Sequence, residues 1–291
     1  MTYKVDIGIA CGGTQIPNWW NAVFGRLLQE QQRGVEIGQF LAIGSALPDH
    51  NKNYTIGDPV QKRRLELTDA NRQVITHGFM EGAPSGWKAD YIFWIDDDTV
   101  FPDATLSHLL SLGKDFVAGL YFNANPPYNP IAYFKNKTMI GYSPLYNYPR
   151  GSLMQVDSVG MGCTLIHRRV YEAIRANYRM FQRPNGSLFP IHKDDVKQSG
   201  FNLPQDERGD FFVHSGWAHM KVVEIDKEDD RAFPYYSMEY GRTEDHHFCE
   251  MAVRSGFRPW VDTTIECEHW KYKATVAEQY HQAVLEKEGL E

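Results

Sequence analysis

This chain predicts an α/β fold, with a mixed and mostly parallel sheet flanked by helices. Three observations carry that expectation. Strand-like and helix-like patterns alternate from Val5 to Asp96, and such alternation implies right-handed crossovers between parallel strands. The run Tyr91, Ile92, Phe93, Trp94, Ile95 is continuously apolar, the mark of a strand covered on both faces. It ends abruptly in Asp96, Asp97 and Asp98, and the carboxyl edge of such a sheet is where ligands bind.

In order, Val5 to Ala10 reads as a first strand that breaks into a loop at Cys11, Gly12 and Gly13. This loop is not the G-x-G-x-x-G fingerprint of a dinucleotide site. Pro17 suits a first helical turn, and Trp20, Val23, Phe24, Leu27 and Leu28 then recur at helical spacing as one apolar stripe. Val35 to Ile43 gives a second strand. From Thr68 a second helix carries Asn71 and Arg72 near its start and Val74, Ile75 and Phe79 on one face. After the acidic strand, Pro102 opens a helix with Leu106, Leu109 and Leu110, and Phe116 to Tyr121 is a further strand.

Gly160 and Gly162 precede a strand from Cys163 to His167 and a helix with Val170 and Ile174 inward. A glycine pair there is either a bulge or a seat for a close backbone approach. Residues 181–236 are rich in Pro, Gly, Asp and Lys with little periodicity, which reads as a long lid or binding loop. Thr243 is placed to cap a helix that starts with Glu244 and Asp245, where the helix dipole favours negative charge. Gly256 ends it, Pro259 to Ile265 is a last strand, and Val276, Tyr280, Ala283 and Val284 mark an amphipathic C-terminal helix.

Three adjacent carboxylates repel one another unless a cation or donors compensate them. Alternation along an extended segment puts Asp96 and Asp98 on one side and Asp97 on the other. Two hard oxygen ligands facing one way suit Mg²⁺ or Mn²⁺ carrying a polyphosphate. The plainer alternative is a solvated acidic turn ahead of a helix.

At 291 residues, with 42% hydrophobic and 23% charged residues, the chain is an ordinary globular protein and not a disordered one. A formal net charge of -7 argues against a surface built to hold nucleic-acid phosphates. Cys11, Cys163, Cys249 and Cys267 show no C-x-x-C spacing, so reduced thiols in a cytoplasm are expected, the host's if the protein is viral. No apolar stretch approaches the roughly 18 residues of a membrane span. Trp217, Tyr235, Tyr236 and Trp260 are candidates either for stacking on a sugar or base or for core packing.

Four segments, in order, resemble the metal-dependent glycosyltransferases of the GT-A fold, particularly the inverting family-2-like group with its many phage-encoded members. They are Asn71-Arg72, the Asp-x-Asp of Asp96 to Asp98, the Gly-x-Gly segment from Gly160 to Ile166, and Thr243-Glu244-Asp245 followed by a late His269. The resemblance implies one GT-A domain over 1–291. Its donor-binding half would be 1–122 and its acceptor-side half 123–272, with the loop region 181–240 and a helix over 273–291. It implies that Asp98 and His269, with Asp96, hold Mn²⁺ or Mg²⁺, and that Asp96 contacts the donor ribose or a metal-bound water. Asp245 would be the base and Glu244 would face the acceptor or donor sugar, the reverse assignment remaining open. Ala10, Cys11, Gly12, Asn71, Arg72 and Asp97 would border the nucleotide, and Gly160 and Gly162 would let backbone approach the sugar. The partners implied are a nucleoside-diphosphate sugar and an acceptor hydroxyl, and the phage-like flavour admits a glycan or a modified DNA base.

Two other classes compete. Asp96 to Val100 also fits the Asp-x-Asp-x-Thr/Val pattern of haloacid dehalogenase-like phosphohydrolases, but that motif normally follows the first strand of its domain and no later Lys and Asp pair completes it. A protein that binds sugar nucleotides without turnover would share every metal residue.

Overall fold

The computed structural model describes residues 2–11, 19–44, 59–123, 126–136, 141–182, 188–198, 211–215, 218–225, 233–237, 242–270 and 274–275. The first half runs β1 (Lys4–Cys11), α1 (Trp19–Gln32), β2 (Glu36–Gly44), α2 (Pro59–Glu81) and β3 (Tyr91–Asp96). Then come β4 (Thr99–Val100), α3 (Thr105–Ser111), β5 (Phe116–Leu120), β6 (Ala132–Lys135), β7 (Tyr142–Pro144), β8 (Leu153–Gln155) and β9 (Ser158–Val159). The chain continues through β10 (Cys163–His167), α4 (Arg168–Asn177), β11 (Tyr178–Gln182), β12 (Leu188–His192), α5 (Lys193–Gln198), β13 (Phe211–Ser215) and β14 (Ala218–Ile225). Last are α6 (Glu244–Arg254), β15 (Trp260–Glu266), β16 (Glu268–Trp270) and β17 (Ala274–Thr275).

Among the described residues, the main sheet has seven strands in the order β2-β1-β3-β10-β5-β15-β8. β1 pairs in parallel with both β2 and β3, and β15 pairs in parallel with β5. β10 runs antiparallel between β3 and β5, and β8 antiparallel on the β15 edge. The sheet is therefore mixed and mostly parallel, as expected. Alternation splits β3 between two cores. Phe93 and Ile95 join Val5, Ile7 and Ile9 beneath α1 and α3, whereas Ile92 and Trp94 join residues of α2, α4 and α6 on the other face.

The expected stripe on α1 is rotated. Trp19, Val23, Leu27 and Glu30 point inward, while Phe24 and Leu28 are exposed. Two polar anchors fix that rotation. Trp19 Nε1 donates to the Thr99 carbonyl at 2.8 Å, and the buried Glu30 carboxylate accepts the Leu106 and Ser107 N–H groups at 3.1 and 3.0 Å. Those N–H groups open α3, which has no side-chain cap of its own, so Glu30 supplies the acceptor that a helix start needs. On α2, Val74 is likewise exposed and Arg72, Ile75, Thr76 and Phe79 face inward, so an arginine holds a place in the buried stripe.

Among the described residues, the stretch read as one long loop contains most of an antiparallel sheet of four strands, ordered β12-β11-β14-β13, with α5 beside it. Within the expected C-terminal helix, Ala274–Thr275 instead forms β17, which pairs with β16; residues 276–291 lie outside the described ones. Tyr235 and Tyr236 belong to the core, with the Tyr236 ring stacked on Phe248 at 4.7 Å, so packing and not ligand stacking explains both. Lys114 lies over the Trp260 ring at 4.3 Å, and Trp217 is outside the described residues. Cys163, Cys249 and Cys267 are buried and unbridged. Among the described residues, no helix is long and apolar enough to cross a membrane.

Candidate active site

β3 carries Asp96 to the carboxyl edge of the sheet, beside the end of β1, where Ala10 is its register partner. The strand stops there. Asp97 and Asp98 lie in the turn that leads into β4, so strict strand alternation ends before them. Asp97 is 5% and Asp98 8% exposed, so neither belongs to a freely solvated acidic turn.

From the opposite side, α2 brings Arg72, 2% exposed, to the same edge. Its Nη2 donates to Asp96 Oδ1 at 2.8 Å, its Nη1 to Glu244 Oε1 at 2.8 Å, and the same Nη1 makes a close ion pair with Asp245 Oδ1. One guanidinium thus gathers carboxylates from β3 and from the first turn of α6. Burial opposes its charge, but Asp245, Asp96 and Glu244 outweigh that and raise its pKa well above the ordinary value, so it stays charged. Arg72 was expected near a nucleotide; in the structure it is the hub of the acidic cluster, with buried Asn71 next to it.

Three acids on one cation leave a surplus of negative charge. Burial, reinforced by Glu244 and Asp96, raises the Asp245 carboxyl well above its usual range, while Arg72 and the Met161 N–H pull the other way. A carboxyl that holds its proton more tightly than usual is a stronger base. Glu244 is 5% exposed, and its Oε2 has no hydrogen-bond partner among the described residues. The Thr243 side chain makes no cap bond, leaving the start of α6 to these acids.

The second grouping lies on the far side of Asp98. His269 on β16 places Nδ1 2.7 Å from the Phe122 carbonyl and Nε2 3.0 Å from Asp98 Oδ2. A carbonyl only accepts, so Nδ1 carries the hydrogen and the ring orientation is fixed by a neighbour behind it, as in metal-binding histidines. Two adjacent ligands of an octahedral ion at about 2.1 Å stand roughly 3.0 Å apart, so the observed spacing fits a divalent cation. Among the described residues no three His, Cys, Asp or Glu side chains converge as a closed metal cluster. An ion here would take Asp98 and His269 from the protein, and water or phosphate oxygens for the rest. The Asp96 oxygen that is placed most firmly is the one Arg72 holds.

The Gly-x-Gly segment joins the same edge. Gly162 O accepts the Asp96 N–H at 3.3 Å. A Cβ at Gly160 would lie 2.0 Å from the Tyr121 hydroxyl, and one at Gly162 would lie 2.8 Å from Tyr121 Cζ. What the glycines admit in this structure is therefore the phenol of Tyr121, where the approach of a sugar was expected. Burial raises the Tyr121 pKa, as do the charges of Asp96 and Asp245, so the phenol stays protonated.

All four segments singled out in the sequence thus meet at one edge. Cys11 lies at the end of β1 in register with Gly44, and Gly12 is outside the described residues. Sequence reasoning missed Tyr121, the Phe122 carbonyl and Gln73. Gln73 Nε2 donates to Phe233 O, and Gln73 Oε1 accepts the Tyr236 N–H at 3.1 Å. Neighbouring residues of α2 therefore secure both the 233–236 segment and the start of α6. The one available signal for Tyr121 was its place at the carboxyl end of an apolar strand.

No family model matches the chain, and no curated protein matches it. Among solved structures, A197 from STIV is similar over 96% of this chain and 92% of that one, at 13% identity and a TM-score of 0.41. GalNAc-T7 with UDP, GalNAc and Mn²⁺ is similar over 98% of this chain and 47% of that one, at 8% identity and a TM-score of 0.35. This chain therefore spans under half of the second protein's length. Likenesses of that degree carry no weight for the chemistry.

Proposed function

We propose that the protein is a metal-dependent glycosyltransferase that moves a sugar from a nucleoside diphosphate to an acceptor hydroxyl, with inversion at the anomeric carbon. The observation that carries this reading is the pairing of two groupings at one sheet edge. Asp98 and His269 stand 3.0 Å apart as a metal-type pair, and the Arg72 hub holds Asp245 as a half-buried carboxylate base. When bound between Asp98 and His269, Mn²⁺ or Mg²⁺ supplies positive charge for the departing diphosphate.

The remaining steps belong to the chain. Asp245 takes the proton of the attacking acceptor hydroxyl, a task suited to a carboxyl whose burial raises its proton affinity. Arg72 holds the carboxylate in place beforehand. As Asp245 gains the proton and loses its charge, Arg72 keeps two ionic partners in Asp96 and Glu244, so the site does not strand a buried cation. Asp96, 23% exposed at its side chain and held at one oxygen, presents its other oxygen to the ribose or a water. Ala10 and Cys11, at the end of the neighbouring strand, border the nucleotide. The acceptor is a glycan, a modified DNA base or another hydroxyl compound, met on the side of residues 123–272.

The test incubates the protein with Mn²⁺ and uridine, guanosine, adenosine and thymidine diphosphate sugars, and measures release of the free diphosphate with and without EDTA. Release from one donor that stops in EDTA, and falls sharply in Asp245→Asn, supports the reading. Phosphate release that depends on Asp96 and ignores every sugar nucleotide would turn it toward the phosphohydrolase. Metal-dependent donor binding that survives Asp245→Asn with no turnover in either protein would leave a binding protein.

A further inference from the structure

We propose that the Tyr121 hydroxyl is a substrate contact, donating a hydrogen bond to an oxygen of the transferred sugar beside Asp96 and Asp245. This rests on the glycosyl-transfer reading above and adds a residue that no motif pointed to.

The phenol sits in a built slot. Tyr121 follows the last residue of β5 and is 4% exposed, and its carbonyl accepts the Ile131 N–H at 2.8 Å. Its ring meets His269 edge-on, with centroids 6.0 Å apart. A Cβ at Gly160 would stand 2.0 Å from the hydroxyl oxygen and 2.7 Å from Ile131 Cγ2. One at Gly162 would stand 2.8 Å from Cζ and 2.9 Å from Thr99 Oγ1. No side chain tolerates those approaches, so both positions must be glycine for the phenol to enter.

The hydrogen bonding around the oxygen is one-sided. The Gly162 N–H donates to it at 3.2 Å, which fills one lone pair and fixes where the oxygen lies. Its own proton has no acceptor among the described residues. Buried hydroxyls are normally satisfied as donors and as acceptors, and the Gly162 N–H accounts only for the accepting side. The charges of Asp96 and Asp245 both bear on the phenol. Gly162 bonds both this hydroxyl and Asp96, and the Tyr121 ring lies against His269, so on the reading above the phenol is near where the sugar would be held. A sugar hydroxyl or ring oxygen provides the missing acceptor.

The experiment is calorimetric titration with Mn²⁺, using uridine, guanosine, adenosine and thymidine diphosphates and their glucose conjugates, on wild type and Tyr121→Phe. The phenylalanine keeps the ring in the slot and removes only the oxygen. Tyr121→Phe should leave diphosphate affinity unchanged and weaken the matching conjugate about tenfold. A melting temperature of Tyr121→Phe within a few degrees of wild type shows that the ring still fills the slot, so that a conjugate-specific loss reads the missing oxygen and not a folding defect. Equal affinity of both proteins for the conjugate overturns the contact and leaves the transferase reading standing. Equal weakening of diphosphate and conjugate also overturns it, since that marks a structural role. If wild type binds no diphosphate in Mn²⁺, the transferase reading falls and the contact falls with it.

Discussion

Asp6 and Asp245 are both carboxylates withdrawn from water, and their surroundings are opposite. Asp6, fully buried in β1, accepts the Gln39 backbone N–H at 2.8 Å, Gln39 Nε2 at 3.1 Å and Trp87 Nε1 at 2.8 Å. Gly38 makes the last contact possible, because a Cβ there would lie 2.1 Å from the Trp87 ring. One charge thus meets three neutral donors, which ties β1, β2 and the loop before β3 together. Asp245 instead shares a single guanidinium with Asp96 and Glu244. A carboxylate whose donors are matched to it is scaffold. One crowded among its own kind has its proton affinity raised and is held ready for chemistry at a cost in stability.

Substitutions separate the two carboxylates. The largest effect is expected for Asp98→Ala and His269→Ala. Each should abolish metal-dependent donor binding and lower transfer by about a thousandfold or more, read by steady-state kinetics and calorimetry. Intact donor affinity in a chelator would count against the metal pair. Asp245→Asn comes next, with transfer reduced roughly 10²- to 10⁴-fold but stability changed in the opposite sense. The folded-state pKa of Asp245 is raised, so its contribution is complete below the ordinary carboxylate pKa and is lost as pH rises through the raised value. Asparagine cannot ionise, so melting at pH 8 should occur at a higher temperature than in wild type, with the gap closing as pH falls.

Asp6→Ala should do the reverse. Stranding three donors in the sheet should lower stability by about 3 kcal/mol, measured by urea denaturation, with Mn²⁺ affinity of the folded protein unchanged. A fall in metal affinity matching that of Asp98→Ala would erase the distinction between the regions. The smallest effect concerns His246, next in the chain to Asp245. Its Nδ1 lies 2.7 Å from Ser158 Oγ and its ring stacks on Tyr142 at 4.2 Å. Burial, helped by Arg242, pushes its pKa down to about 4, so it contributes stability above the unfolded-chain value near 6.5 that is lost as pH falls toward 4. His246→Gln should flatten that acid-side decline in melting temperature.

The strongly patterned elements were legible. β3 announced itself by five apolar residues ending in acids, and the four segments of chemical interest do meet. Rotation about the helix axes was legible only in part, since Val23, Leu27, Ile75 and Phe79 face inward as expected while Phe24, Leu28 and Val74 do not. Trp20, Phe24 and Leu28 match helical spacing as well as Trp19, Val23 and Leu27 do, and only tertiary partners decide between stripes one residue apart. The antiparallel sheet inside 178–225 was hidden for a different reason. β12 contains Pro190 opposite Met180, and a proline is tolerated there because β12 is an edge strand. In a single sequence that residue reads as a break. Tyr121 was hidden because the slot that holds it depends on glycines some forty residues away, a relation that spacing along the chain does not encode.

On the proposed reading, Asp98 and His269 hold a divalent ion for a nucleoside diphosphate at the edge that Arg72 organises. Electron paramagnetic resonance of Mn²⁺ reads this binding, since ion bound to protein loses the sharp signal of free Mn²⁺. With wild-type protein and the diphosphate it prefers, the free signal should fall in proportion to protein added. Asp98→Ala should restore the signal, whereas Asp6→Asn should not. Equal Mn²⁺ uptake by wild type and Asp98→Ala, or none by either, would contradict the account.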